Sequence, residues 1–316
     1  MDKSLFKVTL CFGFFLSSLF GSYAQDTLRT SDVRVRDPFV IVSEGKYYII
    51  ASDRPGLKAY ESSDLKNWVP RGRVSEMPDG YLGIDDWWAP DTYFYRGHYY
   101  VFVTVANHDK GILRGTTVLK SDGGVLGPYR PAFPKKKLYA TPKGYQCLDG
   151  SLYIDGKGRP WMIYCVEWNG PNVENEIGEV WAIRLKKNFK GTRGKGRRLF
   201  KASEAPWIRH DGSMVTDAPF IITDPSTGNL IMIWSSFGPE GSPRYRVGQA
   251  VSEKGLFGPW KHIEKPILDE DGGHAMVFTD LDGRMKMSYH RPNSRTETLT
   301  IRDVAVRNGL IEVIDE

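Results

Sequence analysis

One unit recurs through the chain: a polar residue, a short apolar strand, a tight turn and a second apolar strand. Asp37 opens Pro38-Phe39-Val40-Ile41-Val42, the chain turns at Ser43-Glu44-Gly45-Lys46, and Tyr47-Tyr48-Ile49-Ile50 follows. Asp91, Asp149, Asp217 and His274 open similar units. The turns are Arg96-Gly97-His98, Asp155-Gly156-Lys157-Gly158, Ser226-Thr227-Gly228-Asn229 and Asp282-Gly283. The steps between openers are about 54, 58, 68 and 57 residues, the period of propeller blades rather than of helical repeats. Five units predict an all-β, five-bladed β-propeller. The first strand of each blade lines the central channel, so four carboxylates and an imidazole are expected to converge at one end of it. Like charges in so small a space push pKa values apart, as acid–base chemistry requires.

The strand runs support that architecture. Tyr47 to Ile50 is apolar at consecutive positions, as in a strand covered on both faces. An outer-strand phrase also returns, as Ala59 to Trp68, Val118 to Tyr129 and Ala250 to Trp260. No stretch keeps a 3.6-residue period, so very little helix is expected.

Residues 1–24 have the parts of a secretory signal: Lys3 and Lys7, an apolar run from Val8 to Phe20, and Ser22-Tyr23-Ala24 before Gln25. The run is too short to span a bilayer, and Cys11 lies inside it rather than after a lipobox. Export without a membrane anchor, to periplasm or medium, is the expectation. The remaining 25–316, about 292 residues, suit one propeller domain with no appended module.

The net charge of +5 is far from the basic stripe of a nucleic-acid binder, and a monomer is expected. Seven cations lie between Lys186 and Arg198, read as a solvated loop between blades three and four. Aromatic residues make up 13% of the chain, enough to fill blade interfaces and leave some for stacking on sugars. Cys147 and Cys165 fall near opposite positions of one hairpin, so either a disulfide or two buried thiols is expected.

The motifs Arg36-Asp37-Pro38-Phe39, Trp88-Ala89-Pro90-Asp91, Leu148-Asp149-Gly150-Ser151, Thr216-Asp217-Ala218-Pro219-Phe220 and Gly272-Gly273-His274-Ala275-Met276 together resemble glycoside hydrolase family 43. The resemblance covers essentially the whole chain after the leader. It implies Asp37 as general base, Asp149 as the carboxylate that tunes the acid and orients the sugar, and His274 as the residue facing a central calcium held largely through water. Asp217 stands where the family usually has a glutamate acid in a Glu-Gly-Pro context. The resemblance also implies inversion, with acid and base about 6.5–9.5 Å apart. Aspartate is shorter by about 1.5 Å, so Glu204 is kept as a rival acid.

Asp91 is read as a turn former before a strand. Trp88, beside Trp87, is expected to form an aromatic wall for the sugar, with at least one of the two serving as packing. Arg291 is expected to bind substrate, and His290 to have a surface or structural role. The substrate implied is an oligo- or polysaccharide, with terminal α-L-arabinofuranose of plant side chains as the first choice. A β-xylosidase, a galactosidase and a catalytically impaired carbohydrate-binding propeller are the alternatives.

Overall fold

The structure is a computed structural model that describes residues 26–133, 138–242 and 244–314. The expected leader, 1–24, lies outside the described residues. The strands form five antiparallel sheets that follow one another around an axis. Blade one comprises Val40–Ser43, Lys46–Ser52, Leu57–Ser62 and Asn67–Arg73, with Leu28–Arg29 added outside the last. Blade two comprises Asp85–Tyr95, His98–Asn107, Ile112–Ser121 and Tyr129–Pro131. Blade three comprises Cys147–Ile154, Pro160–Val166, Glu179–Leu185 and Thr192–Lys201. Blade four comprises Asp217–Thr223, Leu230–Phe237, Tyr245–Ser252 and Lys261–His262. Blade five comprises Gly273–Thr279, Met285–Arg291, Thr298–Arg307 and Leu310–Val313. Helix among the described residues is confined to two three-residue 3-10 turns, Thr30–Asp32 and Ala202–Glu204.

The first hairpins of blades one and two close through paired left-handed residues. Glu44 and Gly45 have φ of 50° and 71°, and Arg96 and Gly97 have 51° and 82°. This backbone matches the twist of the strands it joins.

Five apolar clusters fill the five interfaces between adjacent blades. Blades one and two share Ile50, Trp87, Val101 and Tyr129. Blades two and three share Phe102, Val118, Tyr164 and Phe189. Blades three and four share Phe200, Trp207, Trp234 and Trp260, and blades four and five share Ile231, Val247, Met287 and Tyr289. Blades five and one close the ring through Phe278, Leu299, Val33 and Trp68. A backbone bond from Leu299 to Val33 (3.0 Å) joins that last interface.

Two expectations are corrected here, on the cationic segment and on Asp91, and the cysteines take the second of their two alternatives. The cationic segment is not a loop between blades: it is the last turn and outermost strand of blade three, and Arg193 to Lys195 and Arg197–Arg198 are exposed along that strand. Both cysteines are buried free thiols. The register pairs Cys147 with Val166 and Leu148 with Cys165, so the cysteines occupy opposite faces of the sheet. Cys147 packs toward blade two and Cys165 toward blade four. Asp91 forms no turn, because it lies within the strand Asp85–Tyr95.

Candidate active site

The five inner strands share a backbone feature that the sequence pattern only approximates. Asp37, Ala89, Asp149, Ala218 and His274 all take left-handed φ values, of 56°, 47°, 53°, 51° and 54°. In blades two to five this residue sits in a break of register with the second strand. Non-glycine residues adopt such φ values at a cost, and the surrounding structure must hold them there. Neighbouring blades do so here. Asp37 N–H donates to His290 Nδ1 of blade five (3.3 Å), Asp149 N–H to Thr104 Oγ1 of blade two (3.0 Å), and His274 N–H to Ser235 Oγ of blade four (2.9 Å). Ala218 N–H donates to the Asp149 carboxylate itself (3.0 Å). The strained turns thus aim side chains at the axis, and those of Asp37, Asp149, Ala218 and His274 are each tied to a different blade.

The equivalent positions are therefore 37, 89, 149, 218 and 274. Asp217 precedes its blade's left-handed residue, in the place Trp88 holds in blade two. Asp91 follows by two, at the level of Phe39, Phe220 and Met276, with which it lines a narrow axial cavity. Asp37, Asp149 and His274 line the same cavity.

At the centre, His274 Nδ1 lies 3.0 Å from Asp37 Oδ1 and 3.7 Å from Asp149 Oδ2. Burial works to raise the Asp37 pKa, but His274 and His290 outweigh it and hold that carboxyl well below the usual range. Burial works to lower the His274 pKa, yet the facing Asp37 and Asp149 lift it to about 10. Asp149 goes the other way: burial, with Asp217 and Asp37 nearby, pushes it well up against the pull of His274. Asp217 is raised to about 6 by burial, with Asp37 and Glu167 adding to the rise, while His274 and a hydrogen bond from Tyr245 moderate it. Asp91 is raised to about 7, mainly by burial. At neutral pH the centre thus holds an anionic Asp37 and a cationic His274, with Asp149 shifted toward its protonated form and Asp217 close to its own midpoint. One carboxylate is ready to take a proton and another can give one.

The sequence profile of Glycosyl hydrolases family 43 matches residues 30–309. The chain belongs to glycoside hydrolase family 43. A solved endo-arabinase from Bacteroides thetaiotaomicron superposes on this family 43 hydrolase with a TM-score of 0.81 at 43% identity, over 89% of this chain and 98% of the other. The extracellular exo-alpha-(1->5)-L-arabinofuranosidase ArbA of Cellvibrio japonicus is 25% identical over 255 residues, 76% of this chain and 68% of the relative. The extracellular endo-alpha-(1->5)-L-arabinanase 1 of Bacillus subtilis is 23% identical over 260 residues, covering 77% and 70%.

The remaining candidates of this glycoside hydrolase fall in different places. Trp87 is fully buried and donates its indole N–H to Gly83 O. Trp88 is partly exposed, with the Arg114 guanidinium 4.4 Å from its ring centroid. Arg291 is exposed and engaged by Glu270 through a carboxylate oxygen (3.1 Å) and the backbone oxygen (3.0 Å). The preceding His290, fully buried, is the residue that reaches Asp37. Glu204 is exposed and accepts the Lys201 N–H (2.9 Å), capping its own 3-10 turn away from the carboxylates.

The donor set around His274 forms no protein cage for calcium. That ion takes six to eight oxygen ligands, and among the described residues no group of three or more His, Cys, Asp or Glu side chains is placed to hold a metal. The residues fit only an ion carried mainly by water. Tyr245, Arg114, Glu167, Thr104 and Ser235 went unnoticed in the sequence. They lie on second and third strands, or just beyond them, and belong to no repeated motif; the doublet Gly272-Gly273, whose second glycine Tyr245 packs against, was the available hint.

Proposed function

We propose that this hydrolase is exported, acts as a monomer, and releases terminal α-L-arabinofuranose from plant polysaccharide side chains with inversion at the anomeric carbon. The observation that carries the chemistry is the pairing of a strongly acidic Asp37 with a raised Asp217 around one axis. Asp37 takes a proton from water as the water oxygen bonds to the anomeric carbon. The glycosidic C–O bond breaks and its oxygen takes the proton of Asp217. Asp149, which accepts the Ala218 N–H, orients the sugar and tunes Asp217. Trp88 forms the wall beside the sugar, with Arg114 stacked behind it. The arabinofuranosidase and arabinanase relatives favour this sugar. Their extracellular names favour export, and no helix of the described residues is long and apolar enough to cross a membrane.

Calcium belongs to the proposal only as a water-held ion beside His274, supplying positive charge at the axis. The test is incubation with linear arabinan and with aryl pentosides, followed by NMR of the first-formed anomer. Arabinose of inverted configuration as the first product supports the proposal, oligomers as first products reassign the action to endo, and retained configuration rejects the mechanism. Calorimetric titration of the chelator-treated protein with calcium decides the ion: a stoichiometric heat that His274→Ala abolishes supports it, and no heat removes it.

A further inference from the structure

Tyr245 opens the third strand of blade four and points at the axis from the interface with blade five. It is 2% exposed. Its ring lies nearly parallel to the His290 imidazole, with centroids 5.8 Å apart and planes 14° apart, and also meets Phe237 at 5.1 Å. Gly273 leaves room for it, since a Cβ there would stand 2.3 Å from the Tyr245 ring. The Tyr245 N–H donates to Asp271 Oδ1 (3.3 Å). A side chain fixed so completely has one free direction for its hydroxyl, and that hydroxyl donates to Asp217 Oδ2 at 2.9 Å.

The bond makes the two oxygens of Asp217 inequivalent. We propose that Tyr245 is a positioning residue for Asp217, holding Oδ2 so that Oδ1 alone carries the proton and presents it to the leaving group. This rests on Asp217 being the acid. The shorter side chain gives the role its purpose: a misplacement of about 1 Å can cost on the order of a hundredfold in rate, and the phenol removes one freedom of the carboxyl. In the step, the Oδ1–H bond breaks, the proton bonds to the glycosidic oxygen, and the electron pair stays on Asp217. Tyr245 keeps its own proton, and its bond to Oδ2 becomes charge-assisted and stronger. Burial and the nearby Asp217, Asp37 and Asp149 push the Tyr245 phenol well up, so it remains a donor throughout. The charged and titratable groups facing Asp217 are Asp37 from blade one, Asp149, Cys165 and Glu167 from blade three, Tyr245 from its own blade and His274 from blade five.

The test is Tyr245→Phe, which keeps the ring against Gly273 and His290 and removes only the hydroxyl. Carboxyl-labelled aspartate followed by NMR, with the Asp217 signal assigned through Asp217→Asn, reads the bond directly and needs no turnover. The Asp217 midpoint is expected to rise by about one pH unit once the anion loses its donor. On arabino-oligosaccharides kcat is expected to fall about tenfold or more, with less than about a twofold loss on a nitrophenyl arabinofuranoside, which needs little leaving-group protonation. An unmoved midpoint, or equal losses on the two substrates, overturns the proposal. A moved midpoint in an enzyme whose wild type hydrolyses neither substrate overturns the acid role beneath it and leaves the hydrogen bond standing.

Discussion

At the residue scale, the chemistry rests on a difference between two aspartates of the same intrinsic acidity. Asp37 is buried beside two imidazoles, and Asp217 is half-buried beside other carboxylates and a phenol. The proposed mechanism needs the first ionised and the second protonated, so kcat/KM is expected to fall as pH rises through about 6, the Asp217 midpoint. A pH profile in which that limb disappears in Asp217→Asn would confirm the assignment. The same variant should lose a factor of roughly 100 to 10,000 on natural arabinosides and far less on an activated aryl glycoside, whereas Asp37→Asn should lose both. Asp37, Asp149 and His274 were legible in the sequence because each stands at the repeated opening of a strand. Asp91 was misplaced by two residues, since a carboxylate after Ala89-Pro90 looks like another opener although Ala89 holds the equivalent backbone position. Tyr245 was not legible: a tyrosine starting an ordinary strand gives no sign that a glycine 28 residues later makes room for its ring.

At the element scale, strand hairpins and blade order could be read because turns and two-sided apolar runs are local signals. The links between blades could not, because they depend on which side chains face across an interface. Arg114 of blade two is the clearest case. It donates to both carboxylate oxygens of Glu167 from blade three (2.8 Å each) and to Asp86 of its own blade (2.9 Å), with Trp88 against its face. Glu167 and Asp86 are buried, so Arg114→Ala would strand two desolvated carboxylates. A destabilisation of roughly 3 kcal/mol or more is expected, read by denaturant unfolding. The choice between a disulfide and two thiols turned on a similar detail: a register offset of one residue places neighbours on opposite faces of a sheet.

At the scale of the whole molecule, the axis concentrates titratable groups from five blades in a protein held together by five apolar interfaces. Their linkage to stability has a definite sign. Asp91 is raised to about 7 from an ordinary carboxylate value, so between roughly pH 4 and 7 the folded state binds more protons than the unfolded one, and stability falls as pH rises. His274 adds to the decline: its stabilisation is complete below about 6.5 and is lost as pH rises through about 10. Asp91→Asn keeps an acceptor for the Tyr93 hydroxyl and removes the first of these effects. The melting temperature of the variant relative to wild type is therefore expected to climb between pH 5 and pH 8, and an unchanged difference would show Asp91 ionising freely.

The five left-handed residues carry a last implication. A ring of equal stations would offer an arriving furanose five interchangeable docking poses, of which catalysis can use one. Two stations here, Ala89 and Ala218, are blanks carrying only a methyl group, and the occupied three hold two carboxylates and one imidazole. The lopsidedness that gives a sugar a single productive heading thus arises as much from what two blades withhold as from what the other three supply.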